Sequence, residues 1–138
     1  MIQEFLNFLS SLDKGTVVFG SLHDVNIKLD RKQGPFLITY MVQNVDLDLR
    51  MNRYIPTYNF KMFICDRTPL NAKGEVIQET IDDMMALAID VLSAIKNHFN
   101  VLESNFRLST SWGKYDCNVS GVSLEFSIKD KPTCIEQD

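Results

Sequence analysis

The chain has 138 residues, of which 45% are hydrophobic and 23% charged, and these values are typical of a folded globular protein. They exclude a collagen, a coiled coil and a disordered chain, and the length fits one domain that can bury a core without metal or disulfide staples. Lys and Arg number 14 against 18 Asp and Glu, a formal net charge of −4, which argues against a protein that binds nucleic acid by neutralising phosphates.

The beginning of the chain predicts one short helix followed by strands. Apolar residues at helical spacing predict an amphipathic helix over residues 2–12. Val25, Ile27 and Leu29 alternate with polar residues, and this period of two predicts a half-buried strand. Together with the aromatic and β-branched run that follows it, this strand would form a hairpin over residues 25–42.

The middle of the chain predicts a second, longer hairpin. Alternation continues at Val45, Leu47 and Leu49, and a further apolar strand runs up to residue 65. We therefore expect an exposed hairpin arm over about residues 37–65. Its outer part, about residues 43–58, is called the arm from here on.

The dominant helix is predicted over residues 81–99. Thr80 and Asp83 form a T-x-x-D capping pattern at its start, and Lys96 and His98 lie near its end, where cations are favoured by the helix dipole. One apolar face runs along it, and its members are Ile81, Met84, Met85, Ala88, Val91, Leu92, Ile95 and Phe99.

The last third of the chain predicts further strands. One begins at about residues 106–108, an irregular connection follows at 112–118, and alternation over 122–128 predicts a clear amphipathic strand. Helix, strands, long helix and strands in this order predict an α+β fold. We expect a mostly antiparallel sheet with a long hairpin arm, packed against one long helix plus a short N-terminal helix. The chain would form a single domain over residues 1–138, with a loose C-terminal tail at 133–138.

No catalytic, cofactor-binding or metal site is predicted. The chain has neither a G-x-G-x-x-G pattern nor a phosphate-binding loop, and its two histidines, His23 and His98, have no partner suited to a catalytic relay. Asp46 and Asp48 share one strand face and could bind a cation, but the rest of a calcium-loop pattern is missing. The apolar runs are too short to predict a membrane span.

Charge is distributed unevenly along the chain. Residues 49–67 carry four basic side chains and one acidic, whereas residues 75–90 carry five acidic side chains and no basic one. The simplest interpretation is two solvated faces. The alternative is an interface in which the arm of one subunit contacts the acidic helix surface of the next. Its candidate residues are Leu49, Arg50, Met51, Arg53, Tyr54, Ile55 and Tyr58 on the arm and Glu79, Asp82 and Asp83 on the helix.

Three features of the sequence are shared with a known family. The elements follow the order short helix, strand pair, long hairpin, one dominant helix and late strands. The segment from Asp116 to Ile128 has a D-x-x-x-x-G-V-x spacing before hydrophobic alternation, and Cys134 closes it. No catalytic set is present. In these features the chain resembles the neck and tail-completion proteins of tailed bacteriophages, which are tail-terminator-like subunits that assemble into rings.

The resemblance implies a structural virion protein with no enzymatic activity. It implies a homo-oligomeric ring, of order six or twelve, that joins the portal or connector to the tail and contacts neighbouring proteins of both. Packaged DNA would be contacted only within the ring lumen, and no membrane would be involved. The protein would be located in the virion, and in the host cytoplasm during assembly. Three cysteines without paired spacing also favour a reducing compartment.

Two other functions stay open at this point. The chain could be a small intracellular ligand-binding domain or enzyme with a pocket between helix and sheet. It could also be a phage assembly adaptor that binds its partner through a sheet edge.

Overall fold

The computed structural model describes residues 1–30, 32–102, 107–115 and 118–134, and of residues 133 and 134 it describes only the backbone. Its helices are α1 (Ile2–Ser11), α2 (Leu22–Leu29) and α3 (Gly74–His98). Its strands are β1 (Thr16–Gly20), β2 (Phe36–Tyr40), β3 (Val45–Arg50), β4 (Arg53–Arg67), β5 (Arg107–Lys114), β6 (Val119–Lys129) and β7 (Thr133–Cys134).

The described strands form one mixed sheet in the order β1-β2-β4-β6-β5. β1 and β2 are parallel, and the other pairs are antiparallel. β4 is the longest strand, and it pairs with β2 and then β3 along one side and with β6 and β7 along the other. The predicted α+β fold with a mostly antiparallel sheet and a hairpin arm is confirmed.

The main core lies between the sheet and helices α1 and α3. The face of the sheet that packs on these helices is called the α3 face. Alternate residues of β6 are buried there, because successive side chains of a strand point to opposite faces. Every third or fourth residue of α3 is buried there, because residues at that spacing share one face of a helix. Phe5 of α1 stacks on Phe60 of β4 with ring centroids 4.4 Å apart. Five of the eight residues on the predicted apolar face of the long helix are buried, namely Ile81, Met84, Ala88, Val91 and Ile95, whereas Met85, Leu92 and Phe99 are half-buried.

The hairpin predicted over residues 25–42 is wrong. Residues Leu22–Leu29 form a helix, and α2 connects the two parallel strands β1 and β2. The Ser21 hydroxyl caps this helix by accepting a hydrogen bond from the Asp24 amide at 3.3 Å. Val25 and Leu29, four residues apart, are buried on one side, whereas Ile27 between them is exposed. Val25 and Leu29 have the spacing of a helix, and the exposed Ile27 between them produced the alternation that is typical of a strand.

The predicted start of the long helix is also wrong. α3 begins at Gly74, so Thr80 lies inside the helix, where its hydroxyl donates to the Val76 carbonyl at 3.1 Å. Asp82 and Asp83 consequently lie in the middle of the helix and do not interact with its positive end. Lys96 and His98 do lie in the last turn, as predicted.

Two expectations for the last third of the chain need correction. β5 continues to Lys114, so residues 112–114 belong to a strand, although its register with β6 shifts between Ser111 and Lys114. Thr133 and Cys134, placed in the predicted loose tail, pair with Tyr54 and Arg53 of β4. The start of the late strand at residue 106, the end of the tail at 135–138 and the start of the phage-like segment at Asp116 lie outside the described residues.

The opposite face of the sheet, called the α2 face, is only partly covered. α2 packs its buried residues against β1, β2 and the end of β4, forming a second and smaller cluster with Phe36, Phe63 and Cys65. The Cys65 side chain is fully buried there. The part of this face that lies beyond α2 is open and polar. None of the helices in the described ranges is long and apolar enough to cross a membrane.

Candidate subunit interface

The arm is a hairpin built from β3 and the first half of β4. Its pairs run from Val45 opposite Tyr58 to Arg50 opposite Arg53. The chain reverses at Met51, whose φ of 51° lies in the left-handed region. All six residues of β3 are exposed. The structure therefore places the predicted arm on the surface.

The two faces of β3 differ in chemistry. Val45, Leu47 and Leu49 pair with Tyr58, Pro56 and Tyr54, so these apolar side chains lie on the α3 face. The side chains between them lie on the α2 face, and they are Asp46, Asp48 and Arg50. The apolar row is not covered by the described residues, because Leu49 is 67% exposed and Met51 at the tip is 100% exposed.

The predicted arm residues divide into two groups. Leu49, Arg50, Met51 and Arg53 are exposed, whereas Tyr54, Ile55 and Tyr58 are half-buried on β4. Tyr58 packs against the main core. The arm is also held on the side of β4 away from β3, because the Asp130 amide donates to the Pro56 carbonyl at 2.8 Å and β7 pairs with the first residues of β4. The exposed group is therefore the part available for contact with another molecule.

The acidic residues predicted as the complementary surface lie away from the arm of their own chain. Glu79, Asp82 and Asp83 are exposed in the first half of α3, which follows the far end of β4. Val101, just after α3, pairs with Ile128, which in turn pairs with Tyr58 at the base of the arm. α3 therefore runs antiparallel to β4, so that a contact between the arm and these acids has to join two molecules.

The paired aspartates of β3 are engaged by protein groups. The Asp46 carboxylate accepts from Asn59 Nδ2 at 3.0 Å, and the Asp48 carboxylate accepts from Arg50 Nε at 3.1 Å. Among the described residues there is no group of three or more His, Cys, Asp or Glu side chains that could hold a metal ion.

The open part of the α2 face forms a wide groove of about 1470 Å³. Its floor is polar, with Asn59 and Lys61 of β4 and alternating serines from β5 and β6, and its rim includes His23 of α2. The hydroxyls of Tyr40 and Tyr115 are hydrogen-bonded across it. Burial, reinforced by this bond, raises the pKa of Tyr40 above its ordinary value of 10.0, so this side chain stays neutral at physiological pH.

Two features of the surface were not predicted from the sequence. One is this groove, which follows from the placement of α2. The other is the free outer edge of β5, whose alternation of Leu108, Thr110 and Trp112 with Ser109 and Ser111 could have been recognised as a strand pattern.

No family model, no curated protein and no solved structure matches this chain.

Proposed function

We propose that this protein is a structural subunit that assembles with copies of itself into a ring, in the neck or tail of a tailed bacteriophage. In this position the ring joins the portal or connector to the tail, and the protein is not an enzyme. The phage assignment is supported by the sequence resemblance, and the ring by the surface of the arm.

The observation that carries the proposal is the uncovered apolar row on β3. A sheet edge with exposed apolar side chains is a site for pairing with another chain, and soluble monomers protect such edges. Here the row continues into Met51 at the tip of the hairpin. Exposed apolar residues that form one continuous patch mark interaction sites.

A closed ring is favoured over a two-fold dimer because the complementary surfaces differ. Arg50 and Arg53 lie at the arm tip, and the acidic residues Glu79, Asp82 and Asp83 lie at the other end of the molecule. Contact between two different surfaces is head-to-tail, and a head-to-tail interface closes into a ring when the rotation allows it. Neighbouring portal and tail proteins would bind the ring's two ends.

The ring is tested by native mass spectrometry of the purified chain. We expect one closed oligomer of a single order, six or twelve, with little monomer. A population that stays monomeric over the accessible concentration range would contradict the proposal. That result would favour a ligand-binding domain or enzyme that uses the groove on the α2 face.

Charge reversal at the arm tip provides a second test. Arg50→Glu with Arg53→Glu should leave the fold intact, because both side chains are exposed. It should weaken assembly by about tenfold, equivalent to about 1.4 kcal/mol, and more strongly at low salt, where charges are least screened. Assembly is followed by analytical ultracentrifugation, and folding by circular dichroism.

The matched control is Lys32→Glu with Lys73→Glu, which changes the net charge equally at two exposed positions outside the arm. This control should assemble like the wild type. If the arm variant and the control assemble equally well, the basic tip does not contribute to the interface.

A further inference from the structure

We propose that the ring is closed by strand pairing, in which the free edge of β3 in one subunit pairs antiparallel with the free edge of β5 in the next. This inference rests on the proposed function, and in it strand pairing forms the ring in place of the contact between the arm tip and the acidic residues of α3. The partner at the β3 edge is a second copy of this chain, and the sheet would run without interruption from subunit to subunit.

The topology places the two edges where such pairing requires them. Across the arm and the end of the chain, the strands lie in the order β3-β4-β6-β5. In the described residues β3 pairs only with β4, and β5 only with β6. Each of them therefore presents one row of backbone donors and acceptors to another chain.

The strand directions also fit. Successive strands in this order are antiparallel at every step, so β3 and β6 run one way and β4 and β5 run the other. A second copy placed beside the first in the same orientation brings its β3 antiparallel to β5. The alternation then continues from one subunit to the next.

The apolar sides of the two edges match. Leu108 and Thr110 of β5 pair with Leu124 and Val122, which face α3, so β5 presents its apolar side chains on the α3 face. β3 presents its own apolar row on the same face. Trp112 at the end of the β5 row is 63% exposed. Pairing would cover side chains that both edges otherwise expose to water.

The charges on the opposite side of the two strands are complementary. On the α2 face β3 carries Asp46, Asp48 and Arg50, a net charge of −1, whereas β5 carries Arg107 and Lys114 and no acidic residue. The antiparallel register that sets Asp48 opposite Arg107 also sets Leu47 opposite Leu108. Opposite charges and apolar pairs that face each other directly across two strands each stabilise a sheet.

The two edges are offset along the strands. β3 lies beside the first residues of β4, whereas β5 lies, through β6, beside its last residues. Each subunit would therefore step along the strand direction relative to the previous one. In a closed ring this offset becomes a tilt of the strands against the ring axis, as it does in barrels.

A charge-swap experiment tests the pairing. One variant carries Asp46→Lys with Asp48→Lys, and the other carries Arg107→Glu; all three side chains are exposed. Each variant alone would oppose like charges at every interface, and we expect its assembly to weaken by about tenfold or more. An equimolar mixture of the two variants should restore assembly, because alternating subunits place opposite charges at every interface.

Amide hydrogen exchange of the wild-type protein tests the strand pairing without any substitution. The amides of residues 45–48 and 107–110 that point away from their own partner strand should exchange more slowly in the assembled protein than in dilute monomer. Equal exchange in the two states would overturn the pairing.

The outcomes separate this inference from the proposed function. If the wild type is a monomer, the ring itself is wrong. If the wild type and both variants form rings equally well, the ring stands and the strand pairing is wrong. If only the β3 variant is impaired, and mixing does not restore it, β3 pairs with another surface and the inference is overturned.

Discussion

Replacing Val91 with aspartate should lower the free energy of unfolding by on the order of 5 kcal/mol, a large part of the about 5–15 kcal/mol that stabilises a typical domain. Val91 is 0% exposed on the side of α3 that packs against the sheet. The new carboxylate would be buried without a partner, and the packing of the valine would be lost as well. Urea denaturation followed by circular dichroism measures the change through the shift of the midpoint.

Ser93→Asp is the matched control, because Ser93 lies two residues further along the same helix and is exposed. It introduces the same side chain with the same helix propensity, and its unfolding free energy should stay within about 0.5 kcal/mol of the wild type. If the two variants were equally stable, Val91 would not pack against the sheet.

The elements that could be predicted from the sequence are those with a long and regular apolar period. α1 and β6 each repeat their pattern over two or more turns or pleats, and so does the second half of α3. The core depends on these three elements. Once they are identified, an antiparallel sheet with a helix on one face is the arrangement that buries all of them.

The elements that could not be predicted have short or ambiguous patterns. α2 spans eight residues, and over that length the spacing of Val25, Ile27 and Leu29 fits a strand as well as a helix. The cap at Ser21 was the feature that distinguishes the two. α3 begins at Gly74, and its N-cap residue Lys73 makes no side-chain capping hydrogen bond. The start of the helix therefore has no capping signal in the sequence, and the T-x-x-D pattern at Thr80 was misleading.

The candidate interface was predictable only in part. The arm could be located because polar and apolar residues alternate towards a basic tip, and this pattern predicts an exposed hairpin. Only the start of β5 was predicted, although the alternation of Leu108, Thr110 and Trp112 with serines continues the strand. β3 and β5 are far apart in the sequence, and their free edges lie on opposite sides of β4 and β6 only because of long-range pairing. No local sequence pattern predicts such pairing.

Replacing Gly121 with alanine should destabilise the protein by about 3 kcal/mol, the upper end of the cost of overpacking a core. Gly121 lies in β6 directly opposite Cys65 of β4. A Cβ atom added to Gly121 would lie 2.0 Å from the Ile64 carbonyl oxygen and 2.7 Å from the Cys65 Cα. Both are backbone atoms of the central strand, so they cannot move aside without disturbing the pairing of β4 and β6.

Gly74→Ala is the control for this substitution. Gly74 is the first residue of α3, and a Cβ added there meets nothing within 4 Å. Alanine also favours the helix over glycine, so this variant should be as stable as the wild type or slightly more so. Thermal denaturation of the two variants compares them directly. Each variant adds one methyl group in place of a glycine hydrogen. A large fall in the melting temperature of Gly121→Ala alone would therefore show that β4 and β6 approach as closely as their register requires. Equal melting temperatures would contradict that pairing, on which the core and the opposite edges β3 and β5 both depend.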